Sequence, residues 1–174
     1  MKSKKLCFCA MMAALAAVLM LSAYFPYVTY AVPCVAALPV MVVVIELDKK
    51  SGLLTYLVSL LPVLLFSETE AKLLYLCFCG FYPVLKAALE KVKNRLLEYI
   101  LKLLCFNAAV LVIYLLSIFV VGVSFDDLGE LGKYGGLLFL ALANGTFIAF
   151  DFCISKMAVF YLYRFHNTVQ KMLR

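Results

Sequence analysis

The sequence has no tryptophan, a single histidine and only 15% charged residues. A soluble globular domain carries ~25% charged residues and is ~45–50% apolar. This chain is 67% apolar, with a mean hydropathy of +1.05. Packed as one water-soluble ball it would have too little polar surface to cover its exterior. A bilayer is therefore the solvent that fits, and a disordered chain is excluded. Catalytic patterns are absent as well. The chain has no H-E-x-x-H, no G-x-S-x-G and no Walker A loop, so no enzymatic role is expected and ATP hydrolysis by a P-loop is excluded. Seven cysteines are present, but no C-x-x-C. In Cys7-Phe8-Cys9 and Cys77-Phe78-Cys79 the thiols are two residues apart, about 200° apart on a helix, so neither pair can jointly grip a metal. Free cysteine behaves as a small buried hydrophobe, and no metal or cofactor is expected.

What the chain does have is long apolar runs punctuated by charge and proline. They cover about 6–24, 28–47, 52–66, 71–89, 97–123 and 134–163. Each crossing needs ~20 residues plus a short loop, so 174 residues allow six spans at most. The third run is short because Ser67, Glu68 and Glu70 close it. A re-entrant hairpin of runs two and three would strand Asp48, Lys49 and Lys50 in hydrocarbon, so two crossings are cheaper. The first run follows Lys2, Lys4 and Lys5 as a signal peptide would. Its apolar core exceeds the usual h-region of ~7–15 residues, and Tyr24-Phe25-Pro26-Tyr27 is a poor cleavage site, so it reads as a retained helix.

Lysine and arginine set the direction. With the N-terminus in the cytoplasm, the inner side receives Lys2, Lys4, Lys5, Lys49, Lys50, Lys91, Lys93, Arg95, Arg164, Lys171 and Arg174. The outer loops receive Lys72 and Lys133 together with Glu68, Glu70, Asp126, Asp127 and Glu130. That asymmetry is the positive-inside pattern. The net charge of +6 is thus a topology signal, and nucleic-acid binding gains nothing from it. The expected fold is all-α and integral to the membrane: one domain, 1–174, built as a six-transmembrane-helix bundle with both termini cytoplasmic. The expected place is the cell membrane, multi-pass, in contact with lipid.

Local chemistry narrows the candidates. Pro39, Pro62 and Pro83 fall inside runs two, three and four and should bend them; bent helices can open a ligand cavity, although prolines are common in membrane helices. The outer segment 25–33 carries Tyr27 and Tyr30 between two prolines and serves either as a lid or as an interfacial anchor. Segment 86–102 pairs Lys86 with Glu90 and Glu98 with Lys102 at i,i+4. Val92, Leu96, Leu97, Ile100 and Leu103 form its other face, so an amphipathic cytoplasmic stretch at the interface or on a partner is expected. Polar groups at membrane depth are the sharpest pointers. Asn144, Asp151 and Ser155 share one face of run six, and Asn107 adds an amide in run five. A buried Asp151 needs a cationic or hydrogen-bonding partner, for which Lys86 is the candidate. The cluster either binds a ligand or ion, or locks the bundle through interhelical hydrogen bonds.

Run one presents Ala10/Ala14 and Ala13/Ala17 as small-xxx-small pairs that let another helix approach. With the Lys-rich start, six runs and both ends inside, the chain resembles the S components of energy-coupling factor (ECF) transporters. That resemblance implies a membrane-embedded substrate-binding subunit of a micronutrient or vitamin importer, powered by separate ATPase subunits. Ala10, Ala13, Ala14 and Ala17 would dock a transmembrane coupling subunit. The segment 25–33 would be the substrate lid, and Tyr27, Tyr30, Asn107, Asn144 and Asp151 the substrate-binding candidates, for a small molecule the residues do not name. The nickel and cobalt branch carries an N-terminal Met-His, whereas Lys2 follows Met1 here. The alternative is a non-transporting accessory protein that docks partners through the run-one alanines and the basic cytoplasmic segment. An importer predicts a closed pocket beneath 25–33 lined by polar groups of runs four to six. An accessory protein predicts a dry bundle with Asn144 and Asp151 satisfied by neighbours.

Overall fold

The computed structural model describes residues 2–25, 27–91, 94–121 and 135–173. Pro26, Val92 and Lys93 lie outside them, as do the end of run five beyond residue 121, the acidic connection with Asp126, Asp127, Glu130 and Lys133, and the start of run six at Tyr134. Every regular element among the described residues is helical.

Helix α1 runs Lys2–Leu21 and ends in a 3-10 turn, Ser22–Tyr24. Helix α2, Ala31–Glu46, is shorter than the expected 28–47, because Val28 and Tyr30 belong to the turn that precedes Pro33 in its first turn. Helix α3, Lys49–Phe66, begins at Asp48, whose carboxylate accepts from the Ser51 N–H at 2.7 Å. The fourth run is broken into α4, Thr69–Leu74, a π-helical turn at Tyr75–Cys79, and α5, Tyr82–Leu89. Helix α6 spans Arg95–Val121, α7 spans Gly135–Arg164, and a short α8 covers His166–Leu173.

The break in the fourth run has a local cause. Pro83 has no N–H to donate and therefore sits in the first turn of α5, where none is needed. The Gly80 N–H reaches back five residues to the Tyr75 carbonyl at 2.9 Å. A side chain at Gly80 would lie 2.5 Å from the Tyr56 ring. That close approach lets the Tyr56 hydroxyl donate to the Leu76 carbonyl at 2.7 Å, satisfying a backbone group in the widened turn. Pro39 and Pro62, by contrast, remain inside continuous helices.

Among the described residues, five helical segments are long and apolar enough to cross a membrane: Ser3–Tyr24, Lys49–Phe66, Thr69–Leu89, Arg95–Ser117 and Leu138–Arg164. The second run is the exception to the expected six. Helix α2 has 16 residues, roughly 24 Å of rise against a hydrocarbon core of ~30 Å. It is also the innermost leg. Val32, Pro33, Ala36, Ala37, Pro39, Val40, Met41 and Val43 are buried, with Met20, Val63, Tyr75 and Tyr82 packed in the same core. A leg surrounded by protein need not match the thickness of the lipid.

The legs alternate in direction. Phe8 and Cys9 near the start of α1 pack on Val43 near the end of α2, and Val169 of α8 joins them. At the opposite end the Ser67 hydroxyl donates to the Met20 carbonyl at 3.1 Å, and Tyr30 hydrogen-bonds Glu70. Both described chain ends therefore meet at one end of the bundle.

Candidate functional site

The charged groups of α5, α6 and α7 meet in one cluster. Tyr82 and Lys86 are one turn apart on α5, as are Asp151 and Ser155 on α7 and Glu98 and Lys102 on α6. The Tyr82 hydroxyl donates to Asp151 Oδ1 at 2.6 Å. Lys86 Nζ donates to the same oxygen, to the Asp151 carbonyl at 3.2 Å and to Ser155 Oγ at 2.8 Å. Ser155 itself donates to the Asp151 carbonyl at 2.8 Å. Asp151 Oδ2 faces Lys102 Nζ at 3.6 Å, and Lys102 is held by Glu98 at 2.6 Å. Glu90 lies farther off, 3.5 Å from Lys86 and 3.9 Å from Lys102. The buried carboxylate thus finds the cationic partner it needs in Lys86, and a second in Lys102. A bare charge at this depth would be expensive; two cations bonded to two carboxylates form a neutral unit.

Lys102 is where the structure departs from the expectation for segment 86–102. Its described residues belong to the end of α5, a turn at Glu90 and Lys91, and the start of α6, and Lys102 is only 3% exposed. Leu96, Leu97 and Ile100 are the exposed side. The amphipathic pattern is real, but Lys86, Glu98 and Lys102 of its polar face turn into the bundle and its apolar face turns outward, as lipid requires, while Glu90, Lys91 and Arg95 stay exposed. Tyr82 was likewise invisible as a site residue, although its position four before Lys86 puts it on the same helical face.

A polar cleft of 380 Å³ opens on this cluster. Glu90, Arg95 and Tyr99 form its mouth, with Glu98, Lys102, Asp151 and Ser155 deeper in. It lies at the end where α5 finishes and α6 begins. At the opposite end, beneath 25–33, is a cleft of 230 Å³ lined by Leu19, Ser22, Val28, Ala31, Val32 and Val35. Its walls come from α1, α2 and the turn between them, and it is apolar, unlike the polar pocket expected there.

The remaining candidates separate into groups. Asn107 and Asn144 face each other across α6 and α7, with amide contacts of 3.0 and 3.3 Å. Each also donates to the carbonyl four residues earlier on its own helix, at 2.8 Å. Tyr27 is fully exposed, and Tyr30 projects to Glu70, whose hydrogen bond together with partial burial pushes the Tyr30 phenol up to about 12. Neither tyrosine meets Asn107, Asn144 or Asp151 among the described contacts. Of the alanines, Ala10 and Ala14 are exposed, Ala17 is half-buried, and Ala13 is buried inside the bundle.

Two further contacts were not foreseen. Glu46 at the end of α2, whose side chain is fully buried, accepts from the Tyr161 hydroxyl at 2.8 Å and meets His166 Nδ1 at 2.9 Å, so α2 is tied to the α7–α8 junction. Cys34 and Cys79 bring their sulfurs within 4.0 Å between α2 and the π-helical turn. Among the described residues no group of three or more His, Cys, Asp or Glu side chains is gathered to hold a metal.

No curated protein and no solved structure matches the chain. A family model described as a predicted membrane protein, DUF2232, matches residues 13–130, which include Lys86, Lys102 and Asn107 and stop before Asn144 and Asp151. That match covers more than half of the 174 residues, and the chain accordingly belongs to the DUF2232 family of predicted membrane proteins.

Proposed function

We propose that the chain is a membrane-embedded substrate-binding subunit of an ECF-type importer for a micronutrient or vitamin, working with a transmembrane coupling subunit and separate ATPases. It sits in the cell membrane as six helical legs with both ends in the cytoplasm; the positive-inside pattern and the meeting of α1, α2 and α8 at one end support that orientation. The observation that carries the reading is α1. Ala13, Ala16 and Met20 close the core on one side, while Ala10 and Ala14 stay open on the other at one-turn spacing. A second transmembrane helix can approach the open side closely without disturbing the bundle. The chain carries no chemistry of its own in this scheme; ligand binding and docking are its work.

The test is purification of the tagged full chain from its native membrane in mild detergent, with identification of whatever accompanies it. The expected companions are two ATPase chains and a membrane coupling subunit. Recovery without any ATPase would overturn the importer reading. An Ala10→Leu/Ala14→Leu variant is expected to lose the partners while keeping its thermal unfolding profile. Ala13→Leu is the contrasting control, since its added volume goes into the core.

Two observations favour the accessory reading, the first being that the cleft beneath 25–33 is apolar and takes no residue from runs four to six. The second is that Asp151 and Asn144 are both bonded to neighbouring side chains, as a protein that only docks others would have them. Co-purification of non-ATPase membrane proteins through the same α1 face would support it.

A further inference from the structure

The polar cleft between α5, α6 and α7 divides electrically into a floor and a mouth. On the floor, Lys86 and Lys102 are matched by Asp151 and Glu98 through the closest contacts of the cluster. Two positive and two negative groups leave the floor neutral. The mouth carries Glu90 and Arg95. Glu90 is about half exposed and only loosely shared between the two lysines, at 3.5 and 3.9 Å. Arg95 makes no ion pair among the described residues, with Glu90 or with any other carboxylate. Two opposite charges thus flank one opening without neutralising each other.

A guanidinium prefers a planar or tetrahedral oxyanion that it can grip with two N–H groups, phosphate above all. A half-exposed carboxylate accepts from an ammonium that still carries its hydrogens. A ligand that satisfies both ends is a zwitterion with a primary ammonium and a phosphate a few bonds apart. The cleft, at 380 Å³, falls within the ~300–1,000 Å³ of ordinary small-ligand sites.

The surface beside the mouth indicates where such a zwitterion comes from. Leu96, Ile100 and Leu104 are exposed by 77%, 59% and 62%, and four-residue spacing stacks them in one stripe on α6. Tyr99 stands at the rim, where interfacial aromatics belong. A head group in the cleft would leave its acyl chains lying along this stripe. We propose that the α5–α6–α7 cleft is a binding site for the head group of an amine-bearing phospholipid of the phosphatidylethanolamine type, with the phosphate on Arg95 and the ammonium on Glu90. The proposal does not rest on the importer reading: α1 and the opposite end of the bundle take no part, and Asp151, the importer candidate that lines the cleft, is already engaged by Lys86 on its floor.

The experiment uses the full chain, purified and stripped of lipid, and given an equimolar mixture of phosphatidylethanolamine, phosphatidylcholine and phosphatidylglycerol. Retained lipid is read by native mass spectrometry. Phosphatidylcholine keeps the charges but has no ammonium N–H to donate, and phosphatidylglycerol lacks the cation. Phosphatidylethanolamine is expected to be retained roughly tenfold over either, the difference a charge-assisted hydrogen bond makes. Arg95→Gln and Glu90→Gln should each erase that preference while unfolding at the wild-type temperature, because both side chains stand at the mouth. Equal retention of the three lipids, unchanged by either variant, would overturn the proposal and leave only lipid of the surrounding annulus. A final arm adds soluble O-phosphoethanolamine. Failure to displace the lipid at equal concentration supports the lipid source; ready displacement overturns it in favour of a soluble zwitterion.

Discussion

The region around α2 and the α6–α7 pair hold together by different means. In α1, α3 and the broken fourth leg, 33–44% of the most apolar stretch is buried, against 11% in α6 and in α7. The first region is a packed core in which glycines let side chains of neighbouring helices press onto the backbone, as at Gly52 against Val44 and Gly80 against Tyr56. The second touches the core along one narrow stripe. Phe106 and Phe147 stack at 4.6 Å, with Phe78 set edge-on to both rings. Below them come Tyr82, Lys86, Lys102 and Asp151; above them come Asn107 and Asn144. The difference teaches that polar groups carry a larger share of the cohesion where apolar contact is sparse. That is unusual in water and natural in lipid, where tails compete equally for apolar surface.

The comparison can be broken most forcefully at Lys86. Lys86→Met removes one partner of a buried ion pair and leaves Asp151 without its closest cation, which should destabilise the protein by about 3–5 kcal/mol. Thermal unfolding in detergent is the measurement, and loss of α6 and α7 from the folded unit is the expected form of the damage. Gly80→Val attacks the packed region instead. The added methyls meet the Tyr56 ring, a misfit worth about 1–3 kcal/mol, and the Tyr56 to Leu76 hydrogen bond should be lost with it. An Asn107→Leu/Asn144→Leu variant sharpens the contrast within the loose pair. An interhelical hydrogen bond in a membrane averages ~0.6 kcal/mol, so a small loss is expected, far below that at Lys86. If the amides bind substrate, the same variant should lose ligand while keeping its stability.

A comparably small effect belongs to a cap outside the membrane. Asp48→Ala should cost about 1 kcal/mol by freeing the Ser51 N–H. The hydrogen bond from that N–H holds the Asp48 carboxyl below its ordinary value. A depressed carboxylate contributes stability above its unfolded pKa of ~3.9 and loses it as pH falls through the lower folded value. The wild-type advantage over Asp48→Ala should therefore be constant from neutral pH to about 5 and disappear in stronger acid.

Much of the fold was legible because apolar runs and charge asymmetry act over whole segments. The runs of α1, α3, α6 and α7 reappear as helices with shifted ends. The bend in the fourth leg was signalled by Pro83, but its π-helical form depends on Gly80 and on Tyr56, which comes from another helix. Helix α2 was drawn too long because composition does not distinguish a leg in lipid from one surrounded by protein. At the site, Asp151 stood out as a carboxylate at depth, and Lys86 followed as its partner. Lys102 did not, because its i,i+4 pairing with Glu98 is the same whether the pair faces water or a cleft. Only tertiary packing decides between them.

The account turns on Lys86 and Asp151 acting as one neutral unit that joins the two regions. A double-mutant cycle of Lys86→Met, Asp151→Leu and the combined variant measures that directly. The prediction is that each single change is strongly destabilising and that the combined variant unfolds close to the wild-type temperature, because no unpaired charge remains. If the two losses simply add, the residues act independently and the neutral-unit account is wrong.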